Sequence, residues 1–331
     1  MRLKNSLLGV LIVSLFLTIG WTSQVEASEA DYTVKAVLAE NQNPKISSYF
    51  DITVAPGGKQ IFSLSITNNT TKEKEYKIEP HTAVTNSNGV IDYSSGKIPK
   101  DLTLVHSFEE LISDPQTVKL VAGEKRQVDF EFTVPKQEFE GILLGGFVVT
   151  PIEKKKSDQP IVNVYTHTVA AVIRESSNPI EPELKLNGVD IGQINYHNVV
   201  KAELHNVSPT IVSELKIDST ITEKGETKVL YEETKEQLKM APNSNLAFPI
   251  PTKEKFKAGD YTVHMTASAK GKTWKFTKDF TINAEKEQKL NAETIDSGNE
   301  FNVNFIFLAI AVGILFAVVI LIYVKKKQRK E

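Results

Sequence analysis

Apolar and polar residues alternate through the middle of the chain, and a period of two restricts the fold to strands that bury one face and wet the other. Phe62, Leu64 and Ile66 alternate with polar neighbours, as do Val128, Phe130, Phe132 and Val134, and Tyr261, Val263, Met265 and Ala267. Trp274, Phe276, Phe280 and Ile282 form a fourth set, broken once at Lys278. Turn formers separate the sets: Pro56-Gly57-Gly58, Asn68-Asn69, Asn88-Gly89, Ala122-Gly123-Glu124, Gly225-Glu226 and Ala258-Gly259-Asp260. Half-buried strands at this spacing predict antiparallel sandwiches. Asn88-Gly89, between Thr85 and Ile91, predicts a two-residue hairpin of the primed type, which needs positive φ at both positions. Gly145-Gly146 inside an apolar strand predicts a bulge or a close approach to the backbone. One short helix is signalled, because Ser107 followed by Glu110 is a capping box and Asp114-Pro115 stops the turn it opens.

Composition divides the chain further. The segment 153–160, EKKKSDQP, is charged and breaks the alternation, so it reads as a linker between a first domain at 31–152 and a second at 161–283, or as a long hairpin tip. Val169 to Ile173 is apolar on both faces and is expected at the centre of a sheet in the second domain. Residues 284–304 are polar with no periodic apolar face, which predicts a flexible stalk reaching on the order of 25 Å.

Both ends are apolar. Arg2 and Lys4, the run Leu7 to Gly20 and Val25-Glu26-Ala27 have the layout of a signal peptide, residues 1–27, cleaved after Ala27. Phe305 to Val324 carries no charge and as a helix spans about 30 Å, the thickness of a bilayer's hydrocarbon core. Five basic residues follow in the tail 325–331, so the positive-inside rule predicts a single-pass type I protein with residues 28–304 outside the cell membrane.

The chain has no cysteine, so an exported region of about 275 residues must be stabilised by hydrophobic cores alone. That agrees with export by a Gram-positive bacterium. Residues 28–304 carry a net charge of about −7, which argues against nucleic acid as a partner. The six histidines show no metal-ligand spacing, and there is no nucleophile elbow, phosphate-binding glycine loop, HExxH or CxxC motif. No cofactor, metal or catalytic residue is expected, and the chain reads as a non-enzyme.

Three strings in the first half, SYFDITVAPGGKQ at 48–60, HTAVTNSNGVIDYS at 81–94 and FEGILLGGFVV at 139–149, resemble the WxL-interacting protein family. NVYTHTVAAVIRE from Asn163 and PELKLNGVDIG at 182–192 resemble that family's second domain. The resemblance implies an all-β fold, two immunoglobulin-like β-sandwich domains in tandem completed by the C-terminal transmembrane helix. It also implies a role in adhesion or scaffolding at the cell surface, with peptidoglycan bound by the first domain. A WxL-domain surface protein, with a host extracellular-matrix protein as a further partner, falls to the second. A polysaccharide-capturing module of a sugar-utilisation system is the alternative.

The family's motif carries over no binding residue, so a saccharide site has to be sought by chemistry. Sugars present C–H faces and hydroxyl edges together, and their sites combine an aromatic ring with amides and carboxylates. Asn86, Asn88, Asp92 and Tyr93 supply that mixture around the first-domain hairpin, with Tyr49 as a further candidate. The same residue types also form turns and strands without binding anything. Lys154 to Lys156 could meet an acidic wall polymer or form a solvated loop.

Overall fold

The computed structural model describes residues 30–94, 101–152 and 164–296. The signal segment, the 153–160 stretch with its lysines, the run 305–324 and the basic tail lie outside the described residues. Among the described residues no helix is long and apolar enough to cross a membrane.

The strands of the first half are β1 (Tyr32–Val37), β2 (Phe50–Thr53), β3 (Lys59–Asn68), β4 (Lys74–Thr82), β5 (Val84–Thr85), β6 (Ile91–Asp92), β7 (Gln116–Leu120), β8 (Lys125–Thr133), β9 (Leu143–Pro151) and β10 (His167–Arg174). A three-stranded sheet, β1-β3-β8, faces a five-stranded sheet, β2-β10-β9-β4-β7, and β5 and β6 form a separate hairpin. Phe62, Leu64 and Ile66 and the alternating set of β8 point into the space between the sheets, as their period predicts. Ring-to-ring packing fills the centre: Phe62 lies 5.0 Å from Phe50 and 5.7 Å from Phe147.

The predicted capping box closes a single helical turn, α1 (Phe108–Leu111), where the Ser107 N–H donates to Glu110 Oε2 at 3.3 Å. The turn serves to drive Phe108 into the core, 5.5 Å from Phe147. Gly145 makes room for it, since a Cβ there would lie 2.2 Å from Phe108 Cγ. On the opposite face a Cβ at Gly146 would come 2.7 Å from the Tyr93 ring. β9 pairs without a register shift on either side, so the two glycines serve close approach and not a bulge.

The second sandwich contains β11 (Leu184–Ile194), β12 (His197–Asn206), β13 (Val212–Glu223), β14 (Val229–Met240), β15 (Ser244–Pro251), β16 (Gly259–Ala269) and β17 (Lys272–Ile282). Its sheets are β11-β12-β15 and β14-β13-β16-β17. The first, second and fifth strands oppose the fourth, third, sixth and seventh, an immunoglobulin-like order with the fourth strand beside the third. The first sandwich repeats it, with β2 added parallel to β10. The second strand ends alike in both: Asn68 Nδ2 donates to Lys72 O and Leu120 O, and Asn206 Nδ2 to Thr210 O and Ala241 O. Both side chains are fully buried and satisfy carbonyls that two loops would otherwise leave unpaired.

Two expectations are corrected. β10 is central in a sheet, as expected, but in the first sandwich: it pairs antiparallel with β9, His167 opposite Val149 through Ile173 opposite Leu143, and parallel with β2. Val169, Ala171 and Ile173 belong to the first core, so that sandwich ends at Arg174 and the second begins after it. A charged hairpin tip and a charged linker share one composition, which is why the boundary reads as 161. The second correction concerns 284–304: Ala284–Glu293 forms a helix, α2, docked on the second sandwich. Leu290 packs on the core, Asn291 bonds both the N–H and the C=O of Phe256, and Asp296 accepts from the Asn198 N–H at 2.7 Å.

Candidate functional site at the seam between the sandwiches

Three loops of the first sandwich reach the second. The β5–β6 hairpin turns through Asn86 to Val90, with Gly89 alone at positive φ, so the loop is longer than the predicted two-residue primed turn. Asn86 Oδ1 accepts from the N–H of Asn88 and Val90 at 3.0 and 3.2 Å, holding the loop closed. The tip then docks on β14: the Lys239 N–H donates to Gly89 O at 2.7 Å, and Leu238 occupies the space where a Cβ at Gly89 would sit. Buried Thr85 meets Ser244 Oγ at 2.5 Å and accepts from the Ala241 N–H at 2.9 Å.

In the second loop Asp101 spans the seam. Its carboxylate meets His205 Nε2 at 3.0 Å and accepts from Asn245 Nδ2 at 2.5 Å, while Asn243 Nδ2 donates to Thr103 O at 3.2 Å. Burial opposes ionisation of Asp101, but bonds from Thr103 and the neighbouring His205 outweigh it and hold the carboxyl below the usual aspartate value. The third loop carries Gly141 at φ 74 against Pro209, whose carbonyl accepts from the Ile142 N–H at 2.7 Å. A small apolar cluster of Ala83, Leu144, Val172 and Ala241 seals the contact.

Because the folded value of Asp101 is depressed, its contribution to the seam is present above the ordinary aspartate range and is lost as pH falls through the folded value. Asp101→Ala is expected to cost about 2 kcal/mol in urea unfolding at pH 7, with the gap to the parent chain closing below about pH 4.

The expected sugar-binding set does not converge on an open surface. Asn86 is engaged by its own loop, and Asp92 accepts from the Ser94 N–H and hydroxyl at 2.7 and 2.6 Å. Tyr93 lies over Gly146 beside Tyr49, and burial, with Tyr49 adding to it, pushes its hydroxyl up to about 12. Asn88 is exposed at the hairpin tip.

The mixture recurs a few residues away. A cleft of about 310 Å³ opens between the 103–106 loop, the 137–143 loop and the 207–209 turn, lined by His106, Gln137, Glu138, Phe139, Glu140 and Asn243. A recess of about 200 Å³ adjoins it past Gly141, with Arg174 and Asn178 in its wall. The Phe139 N–H donates to Glu175 Oε2 at 2.9 Å, leaving buried Glu175 Oε1 as an acceptor without a partner. Asn243 is buried in the cleft wall with its Nδ2 held by Thr103 and Val207, which leaves an aromatic ring, the Gln137 amide, two exposed carboxylates and an imidazole to grip a ligand rich in hydroxyls and amides. No group of side chains able to hold a metal ion occurs among the described residues. Sequence reasoning missed this set because its walls come from both sandwiches; Gly141 ahead of an apolar strand was its one local signal.

Two family models match the chain. The peptidoglycan binding domain of the WxL Interacting Protein family matches residues 32–151, and that family's host binding domain matches residues 156–292. Both describe binding domains. No curated protein matches. Similar solved structures include the ASH/PapD-like domain 7 of human CEP192, 12% identical with a TM-score of 0.29, covering 48% of this chain and 98% of that one. The E. coli chaperone DraB is 14% identical with a TM-score of 0.28, covering 76% of this chain and 97% of that one. The Pseudomonas aeruginosa CupB2 chaperone is 10% identical with a TM-score of 0.28, covering 70% and 97%. With its two domains matched in order over most of its length, the chain belongs to the WxL-interacting protein family.

Proposed function

We propose that the protein is a non-catalytic scaffold or adhesin component of the cell surface. It is exported by cleavage after Ala27, held in the membrane of a Gram-positive cell by Phe305–Val324, and binds peptidoglycan at the seam cleft. The observation that carries this reading is the cleft itself: the side chains that suit a glycan-peptide polymer meet beside the first sandwich, to which the family's peptidoglycan-binding model is matched. The second sandwich is the platform for a WxL-domain protein or a host ligand. With α2 folded back onto that sandwich, the protein stays near the membrane, and any outward reach comes from the partner.

Phe139 is half-buried at the cleft, where its ring packs against the edge of the first core and its backbone N–H is tied to Glu175. Phe139→Ala together with Gln137→Ala is expected to weaken retention on purified peptidoglycan at least about tenfold, consistent with losing a stacked ring and an amide bond. The double variant is expected to lose about 1–2 kcal/mol of stability with the ring's contact to the first core, whereas Gln137→Ala alone, at an exposed position, is expected to weaken retention with the urea midpoint near that of the parent. Unchanged retention would remove the cleft from the proposal.

A further inference from the structure

The end of the second sandwich from which the chain leaves toward residue 305 has an unusual surface. β11 and β12 are joined by a two-residue turn, Asn195-Tyr196, with Ile194 paired to His197 and both turn residues at positive φ, 51° and 65°. This geometry favours asparagine followed by glycine. Here the second position is a tyrosine, in a conformation that disfavours it and with its side chain turned outward: Tyr196 is 66% exposed. Tyr196 therefore contributes little to the core, and its backbone geometry is unfavourable.

Beside it sits Ile295, 61% exposed, whose N–H donates to Tyr196 O at 3.0 Å; Thr294 Oγ1 donates to the same carbonyl. The pair is held rigidly, because Asp296 clasps the next residues of β12 through His197 Nδ1 and the Asn198 N–H, each at 2.7 Å. The loop 252–257 lies alongside, bonded to Asn198 and Asn291, and presents Lys253, Lys255 and Lys257 to solvent. Among the described residues none of these lysines has a carboxylate partner, whereas the intervening Glu254 accepts from Tyr231 OH.

We propose that this end of the second sandwich rests on the outer leaflet of the membrane, with Tyr196 and Ile295 in the headgroup layer and the three lysines against anionic lipid. An aromatic with one polar tip suits that layer, and lysines without a carboxylate partner are attracted to the anionic headgroups of a leaflet that carries them. The chain length makes the contact feasible: residues 297–304 separate Asp296 from the apolar run, and a chain of that length spans no more than about 30 Å fully extended and about 15 Å as a coil. The proposal rests on the reading of Phe305–Val324 as the anchor.

The chain has no cysteine, so single thiols report one site each. The full chain carrying Tyr196→Cys, Ile295→Cys or, on exposed β7, Lys119→Cys is labelled with an environment-sensitive dye. It is then placed in vesicles of phosphatidylcholine and phosphatidylglycerol that contain headgroup-spin-labelled lipid. After an alkaline carbonate wash, strong quenching is expected at positions 196 and 295 and little at 119, and Lys253→Glu with Lys255→Glu is expected to reduce it. Equal quenching at 196, 295 and 119 in a chain that survives the wash overturns the contact while leaving the anchor intact. Loss of the chain in the wash overturns the anchor and the contact with it.

Discussion

A fragment covering residues 28–152 is expected to remain unfolded, whereas one covering 28–177 melts in a single cooperative transition. The first ends with β9 and omits β10, which lies between β9 and β2 in the five-stranded sheet. Without β10, β2 loses its sheet partner, and the core loses Val169, Ala171 and Ile173, all at most 5% exposed. Their burial is worth about 5 kcal/mol, comparable to the lower end of a domain's whole stability, before any unpaired backbone group is counted. Circular dichroism melts of the two fragments decide the matter, and equal melting would mean that the first sandwich closes without its seventh strand. The outcome bears on function too, because the family's peptidoglycan-binding segment stops at residue 151 while the fold it matches here needs β10.

Gly145→Ala is expected to destabilise the first sandwich by about 3 kcal/mol, far more than a single methyl group usually costs. The added Cβ would sit 2.2 Å from Phe108 Cγ, and the ring is hemmed by Phe132 and Phe62 at 5.8 and 6.1 Å, so it has nowhere to move. Gly188→Ala is the control: its Cβ meets nothing within 4 Å, and the change is expected to stay within about 0.5 kcal/mol. Phe108→Ala alone costs about 3–5 kcal/mol, but on that background the Gly145→Ala penalty is expected to fall below about 1 kcal/mol. Additive penalties in urea unfolding would show that the ring does not set the need for glycine.

Where burial is decided by a residue's own strand, the sequence is readable. The alternating sets of β3, β8 and β16 are all buried, and Trp274 is core as expected, although Phe276 and Phe280 are only partly covered because β17 is an edge strand. The capping box at Ser107 is equally local, and so is the close approach at Gly145-Gly146. What escapes is anything that depends on a distant partner. β10 shows its centrality in its two apolar faces, but nothing within it says which sheet receives it. α2 is polar almost throughout and is docked by Leu290, Asn291 and the following Asp296, too few residues to make a periodic face. The seam hides for the same reason: Thr85, Asp101, Asn243 and Ser244 have the composition of exposed turns, and only the second sandwich turns them into a polar junction. The saccharide set read around Asn86 and Tyr93 had the right chemistry for a site but lies where the fold uses those residues to hold the hairpin and seam together.

Two repeats of one sandwich topology, joined by three loops with matched polar contacts, leave a cleft that neither repeat forms alone. If that cleft is the wall-binding site, the relative placement of the sandwiches is part of the site. Nuclear magnetic resonance titration of the protein with a soluble disaccharide-peptide fragment of peptidoglycan tests this most directly. Amide shifts are expected to cluster at His106, Gln137 to Glu140 and Asn243, with residues from both sandwiches moving at the same ligand concentration. Shifts confined to the β5–β6 tip or to the outer face of the β1-β3-β8 sheet, with the cleft residues silent, would contradict it.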